Sequence, residues 1–314
     1  MTDTNQSMSE HQNDPGSEES FLERYNVPTV LFLVGCLFVV FVLYQIVGGT
    51  ATYLIVGSKV TRENVLLHRV FTLGGQLFFI LVPTIVFASL MSVRLDKVFL
   101  WRMPKGGETF FAVLSLLFLQ QVFQTYMILQ ERIPLPEVFD TLLAPIKELM
   151  DQTVRVLVTA ESLPELAFVV LVVAIVPSIV EELMFRGLIQ TGLERVAQPI
   201  RAAVISGLIF GAFHFNPFAL LPLMGLGVFF GLLRMRSRSL VIAMTIHFLN
   251  NVLAVIVSYF RMDEDMVLGG GKASEAYLPA VFGQLGLFVG LFLVAFSLYW
   301  RFTASVNANT RKPA

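Results

Sequence analysis

Eight times between residues 27 and 300 the chain enters a run of mostly apolar residues about as long as a bilayer is thick. A membrane-spanning helix needs about 20 such residues. The runs lie at 27–48, 70–92, 109–130, 165–190, 200–216, 217–235, 238–260 and 277–300. The fifth and sixth are short and meet at HFNPF, where Asn216-Pro217 signals a turn. Only 14% of the residues are charged and the mean hydropathy is +0.73, against about 25% charged in a soluble domain. The expected fold is therefore all-α, a polytopic membrane protein with about eight transmembrane helices. A net charge of −1 and the lack of a basic stripe with interleaved aromatics exclude nucleic acid as a partner.

Between the runs the chain changes character. Residues 1–26 are polar and acidic, lack the basic start and small-residue cleavage site of a signal peptide, and read as a disordered tail. The segment 133–163 is too charged to span, but its apolar residues recur at helical spacing, so an amphipathic helix at the interface is expected; 51–69 reads as a second. GGGK at 269–272 lacks the flanking residues of a phosphate loop and reads as a flexible connection. The lone Cys36 has no disulfide partner and reads as packing. His68, among Arg62, Glu63 and Arg69 at the edge of a span, reads as interfacial. The arginines at 234, 236 and 238 read as an anchor at the inner face. Lys and Arg are more numerous on the side shared with the N-terminus, which predicts both termini in the cytoplasm, with a bacterial inner membrane as the expected location. The organisation expected is a tail at 1–26, N-terminal spans at 27–163, a helical core at 164–262, and a loop, last span and tail at 263–314.

Ionisable groups are costly in lipid and usually face a protein interior or a wet cavity. Few occur inside these spans: Glu181, Glu182 and Arg186 in the fourth, His214 ending the fifth, and His247 in the seventh, followed by Asn250 and Asn251. Glu182 and Arg186 are four residues apart and share a helix face, whereas Glu181 is turned about 100° from Glu182. One arginine thus pairs with Glu182 and leaves Glu181 directed elsewhere. His247 and Asn251 likewise stack one turn apart. At about 1.5 Å per residue, Glu181, His214, His247 and Asn251 lie about 14–22 Å from one membrane face, so antiparallel neighbours bring them to one level.

EELMFR (Glu181–Arg186), FGAFH (Phe210–His214) and HFLNN (His247–Asn251) resemble the motifs EExxxR, FxxxH and HxxxN. Those motifs belong to the CPBP family of intramembrane proteases, which includes CAAX prenyl endopeptidases and bacteriocin-processing proteins. The likeness covers about residues 165–260. Peptide hydrolysis needs an activated water and a stabiliser for the developing oxyanion. Glu181 is the candidate general base, His214 a second holder of the water, and His247 and Asn251 candidate donors to the oxyanion. The resemblance implies the same roles, with Glu182 and Arg186 holding the site and Phe210 packing beside it. The implied partners are the bilayer and a membrane-associated peptide or protein substrate.

No cofactor is required by this reading. A metal reading competes, because Glu181, His214 and His247 form a plausible catalytic set for a divalent ion such as zinc. Two other classes use the same residues: a proton-coupled transporter, or a non-catalytic membrane scaffold. The chain lacks an internal repeat, with only Pro177 interrupting a span, and lacks HExxH, a GxGD pair and a GxSx serine.

Overall fold

The structure is a computed structural model that describes residues 19–133, 136–260 and 277–309. The GGGK connection and residues 1–18 of the expected tail lie outside them. The described residues form helices and connecting turns, with no strand among them. We number the helices α1 (Phe21–Arg24), α2 (Thr29–Val56), α3 (Val65–Met91), α4 (Leu95–Val98), α5 (Gly106–Gln130), α6 (Glu137–Val158), α7 (Leu163–Leu193), α8 (Pro199–Phe213), α9 (Leu220–Ser237), α10 (Leu240–Tyr259) and α11 (Leu278–Asn309). Among them, seven are long and apolar enough to cross a membrane, and α8 is a shorter apolar helix. The protein is an integral membrane protein.

Two expectations need correction. Residues 51–69 form no separate amphipathic helix: 51–56 extend α2 and 65–69 open α3, because apolar residues continue both spans to a connection that begins at Gly57. The last part of the expected N-terminal tail is ordered. Ser20 and Glu23 cap α1 reciprocally, and Leu22 is buried against the bundle.

Helix α6 confirms the helical periodicity of 133–163. It leaves Val138, Phe139, Leu142, Ile146 and Leu149 exposed, an apolar stripe on a helix too charged to span. Its C-terminal end is latched by the buried Arg69 of α3. That guanidinium donates to the carbonyls of Val156 (3.2 Å), Leu157 (3.0 Å) and Thr159 (2.5 Å) and to Glu165 of α7 (2.7 Å). A helix ends in unpaired carbonyls that favour a cation, and Arg69 uses that to hold the end of α6 against α3 and α7.

The closest pairing joins α8 and α9 through two GxxxG sequences, Gly207–Gly211 and Gly227–Gly231. A methyl group at Gly207 would overlap the Val228 backbone, and one at Gly211 would lie 2.5 Å from Met224 N. Lipid offers no hydrophobic force between helices, so small residues that admit close backbone approach do this work. Gly207→Val is expected to separate α8 from α9 and displace His214. A melt in detergent should show a loss of several °C together with lost activity, and an unchanged melting point would refute this packing role.

Arg234, expected as a surface anchor, is instead buried, paired with Glu194 (2.5 Å) and bonded to Thr191. Arg236 is half-buried over the Trp300 ring and donates to its carbonyl, and Arg238 is exposed. The turn from α9 brings Arg234 against the end of α7, where a carboxylate is available.

Candidate active site

Helix α7 departs from α-helical winding on both sides of its glutamates, with π-helical stretches at Val170–Ile175 and Leu183–Ile189. Such stretches occur often at functional sites. Pro177 has no N–H to return to the carbonyl of Val173, four residues back. Asn251 of α10 donates its amide to that carbonyl at 3.1 Å. The break in one helix thereby fixes a side chain of another.

The two glutamates separate as their spacing predicts. Glu182 is fully buried. Its Oε2 lies 3.1 Å from Arg186 Nε, and its Oε1 accepts from His247 Nδ1 at 3.0 Å. The Arg186 guanidinium, also fully buried, lies over the rings of Phe210 (4.8 Å), Phe230 (5.8 Å) and Phe185 (5.9 Å). Phe210 therefore packs beside the site, and Phe230 stacks on His247 at 5.0 Å.

Glu181 faces away from Arg186. Its Oε2 is buried without a hydrogen-bond partner, 3.8 Å from His214 Nε2 and 4.0 Å from His247 Nε2. His214 follows the last residue of α8 and holds its Nδ1 2.8 Å from the Phe210 carbonyl. A carbonyl only accepts, so that Nδ1 carries the hydrogen and Nε2 is turned towards Glu181. Side chains of the protein satisfy the backbone of the turn behind His214. Asn216 accepts from Phe218 N and Ala219 N, and Gln45 and Gln130 donate to the Phe213 and Phe218 carbonyls.

Glu181, His214, His247 and Asn251 line one cavity of about 320 Å³. Asn251 is oriented by a relay: Gln120 of α5 donates to Asn250, and Asn250 donates to Asn251. Val154, Leu157 and Val158 of α6 form part of the apolar wall, and Thr72 and Gln76 of α3 join from the other side. A search confined to ionisable groups misses Gln76 and Gln120, yet an amide inside an apolar span is the same kind of signal. His68 is buried and lines another cleft, between α2 and α3.

The donor set also bears on the metal reading. Three ligands at about 2.0–2.1 Å from a tetrahedral ion stand about 3.3 Å apart. The Glu181 distances are wider, and among the described residues no group of three or more His, Cys, Asp or Glu is arranged to hold a metal ion. The residues as placed do not fit such a site, and no step below is routed through one.

Residues 163–253 match a family model described as Rce1-like, type II CAAX prenyl endopeptidase Rce1-like. The likeness is confined to this segment, under a third of the chain. The matched segment runs from α7 to Leu253 of α10 and contains Glu181, His214, His247 and Asn251, whereas Gln76, Gln120 and α6 lie outside it. No curated protein and no solved structure matches the chain.

Proposed function

We propose that the chain is an intramembrane endopeptidase that cuts a membrane-associated peptide or protein by glutamate-activated water, without a metal. The observation that supports this most is the buried, unpartnered Glu181 Oε2 between two imidazoles whose Nδ1 atoms are already engaged. A water held between Glu181 and His214 would lose a proton to Glu181 as its oxygen attacks the scissile carbonyl. The carbonyl oxygen becomes an oxyanion facing His247 and Asn251. His247 donates from Nε2 as imidazolium, since its Nδ1 hydrogen is engaged by Glu182; the two carboxylates on either side supply the opposing charge. Asn251 has one amide hydrogen on Val173 and a second for the oxyanion. Collapse breaks the C–N bond, and the proton on Glu181 passes to the leaving amine.

The test of the activity is the membrane proteome of cells carrying wild type or Glu181→Ala. Peptides uncut only in the variant identify substrates, and identical proteomes would overturn the reading. The oxyanion role predicts that Asn251→Ala lowers kcat by about 10²–10³-fold with little change in KM. A rise in KM alone would contradict it. Cleavage by the purified protein should survive a divalent-metal chelator; loss of activity restored by zinc would return the metal reading of Glu181, His214 and His247.

A further inference from the structure

Gln76 lies outside the matched segment, on α3, at the start of a π-helical stretch, Gln76–Leu81. It is 5% exposed and lines the same cavity as Glu181, His214, His247 and Asn251. Its side chain hydrogen-bonds Tyr44 of α2, yet its Oε1 is buried without a donor. A buried acceptor left unmade is costly, and more so in a membrane protein, where bulk water is remote.

The other polar side chains of the cavity are engaged. Thr72 Oγ1 donates to the His68 carbonyl (2.9 Å). Asn250 bridges Gln120 and Asn251. On the proposed mechanism Glu181 and His214 hold the water, and His247 and Asn251 face the oxyanion. That leaves Gln76 Oε1, a buried acceptor on a cavity-lining side chain, with no assigned partner. A peptide substrate presents a main-chain N–H at nearly every residue, and its scissile carbonyl must be held still for attack.

We propose that Gln76 is a substrate-binding residue whose Oε1 accepts a main-chain N–H of the peptide beside the scissile bond, with Tyr44 holding the amide in place. This rests on the protease reading. It makes the peptide backbone, in an extended form whose N–H groups are free, the recognised chemistry on the α3 side of the cavity.

The experiment uses the full chain in detergent and a quenched fluorescent apolar peptide chosen because wild type cuts it and Glu181→Ala does not. If no library peptide shows that dependence, the protease reading fails and this inference with it. With such a reporter, Gln76→Leu is expected to lower kcat/KM about 10- to 100-fold, mainly through KM, with a melting point close to that of wild type. A set of reporters N-methylated at one position at a time then locates the contact. One position should cost wild type about 10-fold or more and cost Gln76→Leu almost nothing further. Unchanged kcat/KM in Gln76→Leu overturns the proposal, and so do N-methyl penalties equal in both proteins. A lowered melting point with unchanged KM would assign Gln76 a packing role alone.

Discussion

Glu181→Gln is expected to lower cleavage by about 10²–10⁴-fold, the usual contribution of a positioned general base, while leaving the fold intact. The amide keeps the size of the side chain but cannot take a proton from water. Little structure depends on Glu181. Its Oε2 has no hydrogen-bond partner, and its nearest imidazole nitrogens stand at 3.8 and 4.0 Å. Replacing a partly buried carboxylate with a neutral group also removes a desolvation cost. The melting point in detergent should therefore hold or rise as activity disappears. Full proteolysis by Glu181→Gln would refute the base assignment, and a large fall in melting point would show that the carboxylate is structural.

The adjacent glutamate should behave in the opposite way. Arg186→Met leaves Glu182 fully buried with only His247 as a partner, and loss of one member of a buried ion pair costs about 3–5 kcal/mol. Unfolding in detergent, followed by intrinsic fluorescence, should report that loss. Replacing both groups, Glu182→Leu with Arg186→Met, removes the stranded charge and should recover most of the stability. It should not recover activity, because His247 Nδ1 then lacks the carboxylate at 3.0 Å that fixes its ring. If Arg186→Met is as stable as wild type, the pair is no structural tie. If the double variant cleaves normally, the Glu182–His247 bond has no part in catalysis.

These contrasting outcomes were legible in the spacing of the residues. Four residues separate Glu182 from Arg186 and one separates Glu181 from Glu182, so helical geometry alone assigns the arginine to the second glutamate. The similar depth of His214, His247 and Asn251 followed from counting residues along antiparallel spans. The spacing of amides and glycines was equally open to inspection. Gln76 and Gln120 stand in apolar runs, and two GxxxG sequences stand on consecutive helices, each with a physical meaning in lipid. Helix α6 was legible as amphipathic, but not as a wall of the cavity, because no local pattern states which neighbour a helix end will meet.

Hydropathy and helical period by themselves determined the membrane class, the approximate spans and the division of labour between the two glutamates, since these depend on residues close in sequence and on the cost of polarity in lipid. The tertiary structure decided the rest. It set the Val173 carbonyl, freed by Pro177, against Asn251, turned the Nε2 atoms of two histidines to one carboxylate oxygen, and brought Gln76 to the cavity from α3. Those relations join residues up to about 170 positions apart in one polymer, and only the packing of helices, through glycine contacts, buried ion pairs and capped carbonyls, selects among the many arrangements that the same apolar faces would allow.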